Sequence, residues 1–313
     1  MHLVFFGTSE FAVPALAALV KTGYEVMVIT TPDARAGRKQ KLASSPVKLA
    51  AKKFGLPVLQ PKELKDLVLI PDTKYQILDT ILGVVAAYGK IIPAEIINFF
   101  PKGILNIHPS LLPKYRGPSP IQSALLNGDS ETGVTIIRID AEIDHGPIIS
   151  SQGMAVSSKD LYKDLEKKLA KLGAELLVKV LPDYLARDYE VKPQDDTQAT
   201  FTKMISRKDG QVDWHRNARA IYNQFRAFHH WPGIWMEWNN KILKLITIDV
   251  SPRSYESVYI GKMRIEDGKI IIPCLSQSIT VLSLQLPGGK IMTAKEFING
   301  YGKSIESQER RIG

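Results

Sequence analysis

The stretch Leu3-Val4-Phe5-Phe6-Gly7, continued by Thr8-Ser9-Glu10-Phe11, decides the fold. Four apolar residues in a row leave no polar face, so the strand they form is covered on both sides, and Gly7 ends it. Phe11, Ala15, Leu16, Leu19 and Val20 then recur at the spacing of one helix face, and Gly23 closes that helix. Val26-Met27-Val28-Ile29 is a second doubly apolar run. The rhythm continues with a helix from Pro46 to Phe54, stopped by Gly55, and a short strand at Pro57-Val58-Leu59. Ile81 to Ala86 is another strand, Pro93 suits a first helical turn, and Ile104-Leu105-Asn106-Ile107 is strand-like again. Buried strands alternating with helices predict an α/β domain: a Rossmann-like, doubly wound, mostly parallel sheet with right-handed crossovers. Gly133 to Ile139 and Pro147 to Val156 extend the sheet at one side, and Asp160 to Leu181 reads as a long amphipathic helix.

The pattern then changes. Val191 to Gln198 is polar and aperiodic, which places a linker at 182–207 between a first domain, 1–181, and a second, 208–313. A helix over Arg216 to Phe228 opens the second domain. Short alternating segments follow at Ile234 to Trp238, Ile242 to Val250, Val258 to Ile265, Lys269 to Ile272 and Ile279 to Leu286. Asn239-Asn240 and Asp267-Gly268 are hairpin-type turns between them. Such a run of short strands fits a small OB-like β-barrel.

Composition narrows the class. The 313 residues are 44% hydrophobic and 23% charged, ordinary for a globular protein. A single cysteine, Cys274, excludes an intramolecular disulfide framework and a cysteine-based zinc site; an inert buried thiol is expected there. No basic leader, signal-like apolar run or membrane-length segment is present in the sequence, so a cytoplasmic protein with no membrane partner is expected. The net charge is +9, and residues 203–313 carry 17 basic and 10 acidic side chains, or +7 of it. A basic last third suits a polyanion such as nucleic acid, although solubility alone can explain it.

Several segments could carry chemistry. The turn Gly7 to Phe11 lacks the three spaced glycines of a dinucleotide site and is no P-loop, which argues against NAD and ATP. Asn106 and His108 stand two residues apart at the carboxyl end of a strand, so both point to one face, where such sheets bind ligands. An amide beside an imidazole can stabilise an oxyanion and move a proton; as a lone pair they read more readily as a turn cap and a partly buried ring. Asp144, ahead of Gly146-Pro147, is a turn residue unless it reaches His108. Arg35, Arg38, Lys39, Lys41, Lys48, Lys52 and Lys53 fall between Asp33 and Glu63 without an intervening acid. Gly37 suggests that the loop from Ala34 to Ser45 is mobile, and Arg38 and Lys39 suit a phosphate backbone. Trp214, Trp231, Trp235 and Trp238 could stack bases, but core packing is the expectation for most of them.

Together these segments resemble the methionyl-tRNA formyltransferase family, within the folate-dependent formyltransferases, over nearly the whole chain. The resemblance lies in Phe6 to Pro14, Pro32-Asp33 through Arg38, Ser45-Pro46-Val47-Lys48 and Val85-Ala86-Ala87-Tyr88-Gly89. It continues in Asn106 to Gly117 with Pro120-Ile121-Gln122, Gly133-Val134-Thr135, and Asp144 with Gly146-Pro147. The second domain resembles the family at Ile205-Ser206, Asp209-Gly210, Asp213-Trp214 and Trp231-Pro232-Gly233. The resemblance implies formyl transfer from 10-formyltetrahydrofolate to the α-amino group of methionine on initiator tRNA, without a metal. It implies Asn106, His108 and Asp144 as catalytic residues. Ser110, Leu111, Leu112, Pro113, Tyr88 and Gly89 would line the folate site. Arg38, Lys39, Lys41, Arg207 and Lys208 would contact tRNA, and the enzyme would be a monomer. Pro118-Ser119 replaces the usual pair of alanines, His145 stands where threonine is common, and residues 64–80 match the pattern poorly. Two rivals remain open at this point: a formyltransferase acting on an amino sugar, and a non-catalytic RNA-binding protein on the same fold.

Overall fold

The apolar runs form the strands of a single sheet in the computed structural model, which describes residues 2–36, 41–65, 80–186, 189 and 191–309. In chain order the first part comprises β1 (His2–Gly7), α1 (Val13–Lys21), β2 (Glu25–Ile29), β3 (Ala34–Ala36), β4 (Lys41–Ala43), α2 (Pro46–Lys53) and β5 (Val58–Leu59). There follow β6 (Thr80–Ala86), α3 (Ala94–Ile97), β7 (Ile104–His108), α4 (Pro120–Asn127), β8 (Glu131–Arg138), β9 (Ile148–Ala155) and α5 (Tyr162–Ala186). The seven-stranded sheet has the order β5-β2-β1-β6-β7-β8-β9. Its first five strands run parallel, and β8 and β9 are antiparallel additions at one side. The order reverses direction at β1, the switch point at which α/β sheets open a crevice.

Burial explains the strand sequences. Val4, Phe5, Phe6, Leu82, Val84, Ile104 and Leu105 are inaccessible to solvent, as strands covered on both faces require. On one side Val4, Phe6, Met27, Ile29, Tyr88, Phe100 and Ile104 share a core cluster. Two glycines permit close packing at β7: a Cβ at Gly83 would lie 2.8 Å from the Ile104 side chain, and one at Gly173 of α5 2.6 Å from Ile107. Ile107 thus packs under α5, and strand alternation turns its neighbours Asn106 and His108 to the other face.

Three local expectations need correction. The basic loop is in part a two-stranded hairpin: β3 pairs β4 with Ala34 opposite Ala43, while Arg38 and Lys39 lie outside the described residues. The poorly matching segment 64–80 also lies largely outside them. Helix α5 continues through Pro182 to Ala186, into the segment read as linker. Residues 191–202 are no free tether either, since Lys192 bridges Ile148 and Phe201 bridges Arg116.

The chain divides into two compact units, residues 1–120, 131–156 and 164–202 forming one, and 121–130, 157–163 and 203–313 the other. The second unit holds α6 (Ala218–Phe228), β10 (Ile234–Trp238), β11 (Lys241–Ser251), β12 (Arg264–Glu266), β13 (Lys269–Pro273), β14 (Ser278–Gln285), β15 (Ile291–Thr293) and α7 (Ala294–Glu309). Its antiparallel sheet follows the order β10-β11-β14-β13-β12, with β15 paired to β14. The expected strand from Val258 is instead a single helical turn over Ser257–Tyr259, with β12 starting at Arg264. Strand β15 and helix α7 were not legible in the sequence; Phe297 of α7 is fully buried and packs on Trp238. Trp238 is the sole core member of the four tryptophans: Trp231 is 49% exposed, and Trp214 and Trp235 are half-buried. Cys274 is buried, which pushes its thiol up to about 12.

Gly133 of β8 tests this packing. A Cβ there would lie 2.3 Å from the Gln152 carbonyl oxygen and 2.6 Å from Leu111 Cδ2. Gly133→Ala should lower stability by about 1–3 kcal/mol in urea unfolding; an unchanged midpoint would show that the β8–β9 ladder gives way without cost.

Candidate active site

Three separate chain segments meet at one carboxylate. Strand β7 supplies Asn106 and His108; the loop after it supplies the Gly117 amide; the turn between β8 and β9 supplies Asp144. Asn106 Nδ2 donates to Asp144 Oδ1 at 3.1 Å. The Gly117 amide donates to Asp144 Oδ2 at 2.8 Å, and His108 Nδ1 lies 3.4 Å from the same oxygen. The other ring nitrogen of His108, Nε2, is 2.9 Å from the Tyr115 carbonyl oxygen, to which it donates. A ring with a carbonyl on one edge and a carboxylate on the other is fixed in orientation.

The sequence builds this arrangement through glycines and one strained residue. Gly117 has φ +106° and lies against Thr202, whose hydroxyl oxygen would be 2.9 Å from any Cβ. Gly146 passes so close to the Arg138 carbonyl that a Cβ would sit 1.9 Å from its oxygen. Asp144 itself has φ 49°, the left-handed region that costs a residue with a side chain. The preceding loop is pinned as well: Thr135 Oγ1 donates to the Ser110 carbonyl at 2.8 Å and accepts from the Leu112 amide at 3.1 Å.

Residues 191–202 brace both loops. Arg116, 3% exposed, donates to Gln194 Oε1 and to Asp196 Oδ1 at 2.7 Å. The guanidinium bond holds the Asp196 carboxyl below its ordinary range. His145 packs against the same group: Nδ1 is 2.7 Å from Asp140 Oδ2 and Nε2 3.5 Å from Asp196 Oδ2. The hydrogen bond to Asp140 raises the imidazole above its ordinary value, with the nearby charges of Asp140, Glu142 and Asp196 adding to it.

The residues expected at a ligand divide. Ser110 is fully buried, with Oγ donating to the Lys114 carbonyl at 2.6 Å, and Leu112 is buried beside it. Leu111 and Pro113 are half-buried, and Gly89 is exposed. The Tyr88 ring sits in the core at 2% exposure, edge-on to Phe6. Its hydroxyl is buried with no partner among the described residues, and burial pushes it up to about 12. In the first unit a cavity of about 790 Å³ lies between Ala94–Gly103 and Arg138–Ala141, lined also by Pro147, Tyr184 and Tyr189. No motif of the sequence pointed to it, because its walls come from stretches of unremarkable composition.

Of the basic residues, Lys41, Arg207 and Lys208 are exposed. Arg207 and Lys208 stand on a turn closed by Asp209, which accepts from the Ser206 amide at 2.8 Å and pairs with Lys203. The Lys203 and Ser206 bonds push the Asp209 carboxyl down to about 2. Among the described residues no cluster of three or more His, Cys, Asp or Glu is placed to hold a metal ion, and no helix is long and apolar enough to cross a membrane.

Comparison with known proteins assigns this arrangement to a class. The formyl transferase family model matches residues 1–181, and that of the formyl transferase C-terminal domain matches residues 204–302. The chain belongs to the formyl transferase family. Its relatives include the methionyl-tRNA formyltransferase of Chloroflexus aggregans, 43% identical over 253 residues, covering 80% of this chain and 81% of the relative. That of Chloroflexus aurantiacus is 38% identical across the full length of both chains. Among solved structures, an N-formyltransferase from Helicobacter canadensis, in complex with folinic acid and dTDP-3-aminofucose, matches with a TM-score of 0.68. It is 22% identical and covers 91% of this chain and 99% of its own, which shows the shared fold.

His145 gives a testable pH dependence. Because its folded value is raised, its tie to Asp140 and Asp196 is complete below the ordinary imidazole value of about 6.5. The tie is lost as pH rises through the raised folded value. The unfolding midpoint of the parent should therefore gain on that of His145→Thr as pH falls from about 8 to about 6.5, then level off. A difference independent of pH would contradict the assignment.

Proposed function

We propose that the chain transfers the formyl group of 10-formyltetrahydrofolate to the α-amino group of methionine on charged initiator tRNA, for translation initiation. The observation that carries this reading is the convergence of Asn106, His108 and Gly117 on the Asp144 carboxylate. It stands in a chain alignable end to end with methionyl-tRNA formyltransferases. The enzyme acts as a monomer in the cytoplasm, with Asn106, His108 and Asp144 as its catalytic residues.

The reaction needs an oxyanion held and one proton moved. Attack of the amine nitrogen on the formyl carbon forms a C–N bond and sends the carbonyl electrons to oxygen. Asn106 has committed one amide N–H to Asp144 and offers the second to that oxygen. His108 Nε2–H exchanges the Tyr115 carbonyl for the oxyanion, a stronger acceptor. Preorganised donors of this kind are typically worth about 10²–10³ in rate each. Asp144 holds the imidazole and takes up the proton released by the amine. Collapse of the tetrahedral centre breaks the bond to N10 of the folate, which leaves as tetrahydrofolate with that proton.

The donor is a substrate, and its site is assigned from the sequence to the segment 110–113 with Gly89. Lys41, Arg207 and Lys208 are the described cations that fit a phosphate backbone, with Arg38 and Lys39 assigned the same role from the sequence. An amino-sugar acceptor is the weaker alternative, because the relatives named for tRNA match at 43% and 38% identity, against 22% for the N-formyltransferase in complex with an amino sugar.

His108→Ala and Asp144→Asn should each lower turnover by about 10²-fold or more while tRNA affinity holds; near-parental turnover in either would remove that residue from the chemistry. The acceptor is settled by supplying the donor with charged initiator tRNA, charged elongator tRNA and free amino sugars, where formylation of a sugar alone would sink the reading. Arg207→Ala and Lys208→Ala should weaken tRNA use, reduce its salt slope by about 1 each, and leave the KM for the formyl donor unchanged. An unchanged salt slope would make both of them bystanders.

A further inference from the structure

Asp144 is held at its carboxylate by the residues that work with it, but its backbone is held from elsewhere. Gln194 lies 50 positions downstream, and its Nε2 donates to the Asp144 carbonyl at 2.8 Å and to the Gly146 carbonyl at 2.8 Å. Its Oε1 accepts from Arg116 Nε at 3.0 Å and from Nη2 at 2.9 Å. These four bonds use both donors and both lone pairs of one amide. They also fix which end is which, because carbonyls only accept and a guanidinium only donates.

The two ends of Gln194 act on opposite sides of the same carboxylate. One end ties down the residues around Asp144, whose φ of 49° is unfavourable for a side-chain-bearing residue and needs support. The other end grips Arg116, which is buried and directly precedes Gly117, the residue whose amide donates to Asp144 Oδ2. Asp196 also reaches both loops, bonding Arg116 and lying 3.5 Å from His145 Nε2, but it is Gln194 that bonds the Asp144 carbonyl itself.

We infer that Gln194 is a positioning residue for formyl transfer: it fixes the Asp144 backbone and, through Arg116, the Gly117 amide, so that the carboxylate meets Asn106 and His108 in reacting geometry. Gln194 touches no substrate. Its leverage is geometric, since a displacement of about 1 Å at a reacting group can cost about 10²-fold in rate. The inference rests on the reading of Asp144 given above.

Gln194→Glu is the discriminating variant. It keeps the shape and the acceptor for Arg116, and it replaces the two N–H donors with an oxygen that faces two carbonyls. Protonation of the introduced carboxyl restores one donor, so the deficit relative to the parent should shrink as pH is lowered. The expected result is a kcat lowered by about 10-fold or more near pH 8, with KM for donor and tRNA within about twofold. The ratio of variant to parent kcat should rise toward about pH 5.5. Gln194→Ala, which removes both ends of the brace, should lose at least as much at every pH and show no such recovery. A Gln194→Glu kcat within about twofold of the parent would overturn the inference. So would a pH-independent deficit with a lowered unfolding midpoint, the signature of a merely structural strut. Asp144→Asn assayed alongside separates the two claims. If it is inactive while Gln194→Glu is normal, only the positioning role fails; if it retains the parental rate, the reading of Asp144 fails and the positioning role with it.

Discussion

Everything at the site depends on the Asp144 carboxylate as a common acceptor. Its side chain is only 14% exposed, yet it receives the Asn106 amide, the Gly117 backbone amide and the approach of His108. A carboxylate so placed is satisfied from strand β7 and from the loop that follows it, 27 or more residues upstream in sequence, and each is oriented by what it gives. Removing the carboxylate would leave a buried ring and two N–H groups without their acceptor, which is costly in a low-dielectric environment. The arrangement therefore reinforces itself.

The fold serves this contact by holding its parts rigid. Strand β7 sits inside the sheet, paired on one side with β6 and on the other with β8, where His108 lies opposite Thr135. Thr135 is also the hydroxyl that pins the loop after β7, so one residue of β8 sets both the strand and its continuation. Gly173 lets α5 press on Ile107 and leaves Asn106 and His108 to the other face. An amide held this way, like that of Asn106, needs little reorganisation to meet charge on a facing oxygen.

How much of this was legible depends on whether the signal was local. The parallel sheet was, because Leu3 to Phe6 and Ile104 to Ile107 have no polar face to offer water. The shared face of Asn106 and His108 followed from strand alternation. Asp144 could be tied to them only by resemblance, because no periodicity spans the 38 residues from Asn106. Gln194 and Arg116 stayed hidden for the same reason: 78 residues separate them, and a polar aperiodic segment reads as linker whether or not it packs. Tyr88 was assigned by resemblance alone, and its place in the core beside Phe6 and Phe100 is set by neighbours distant in sequence. Helix α7 was obscured by Gly300 and Gly302, which weaken helix propensity; the burial of Phe297 against β10 residue Trp238 compensates.

The central claim is that Asn106 and Asp144 act as one unit, and a double-mutant cycle on kcat/KM for formyl transfer measures this directly. If the unit is real, Asn106→Ala should add little to Asp144→Ala, with a coupling of about 1–3 kcal/mol between the two changes. Losses that multiply in full, leaving no coupling, would show that the two side chains contribute independently and would contradict the account.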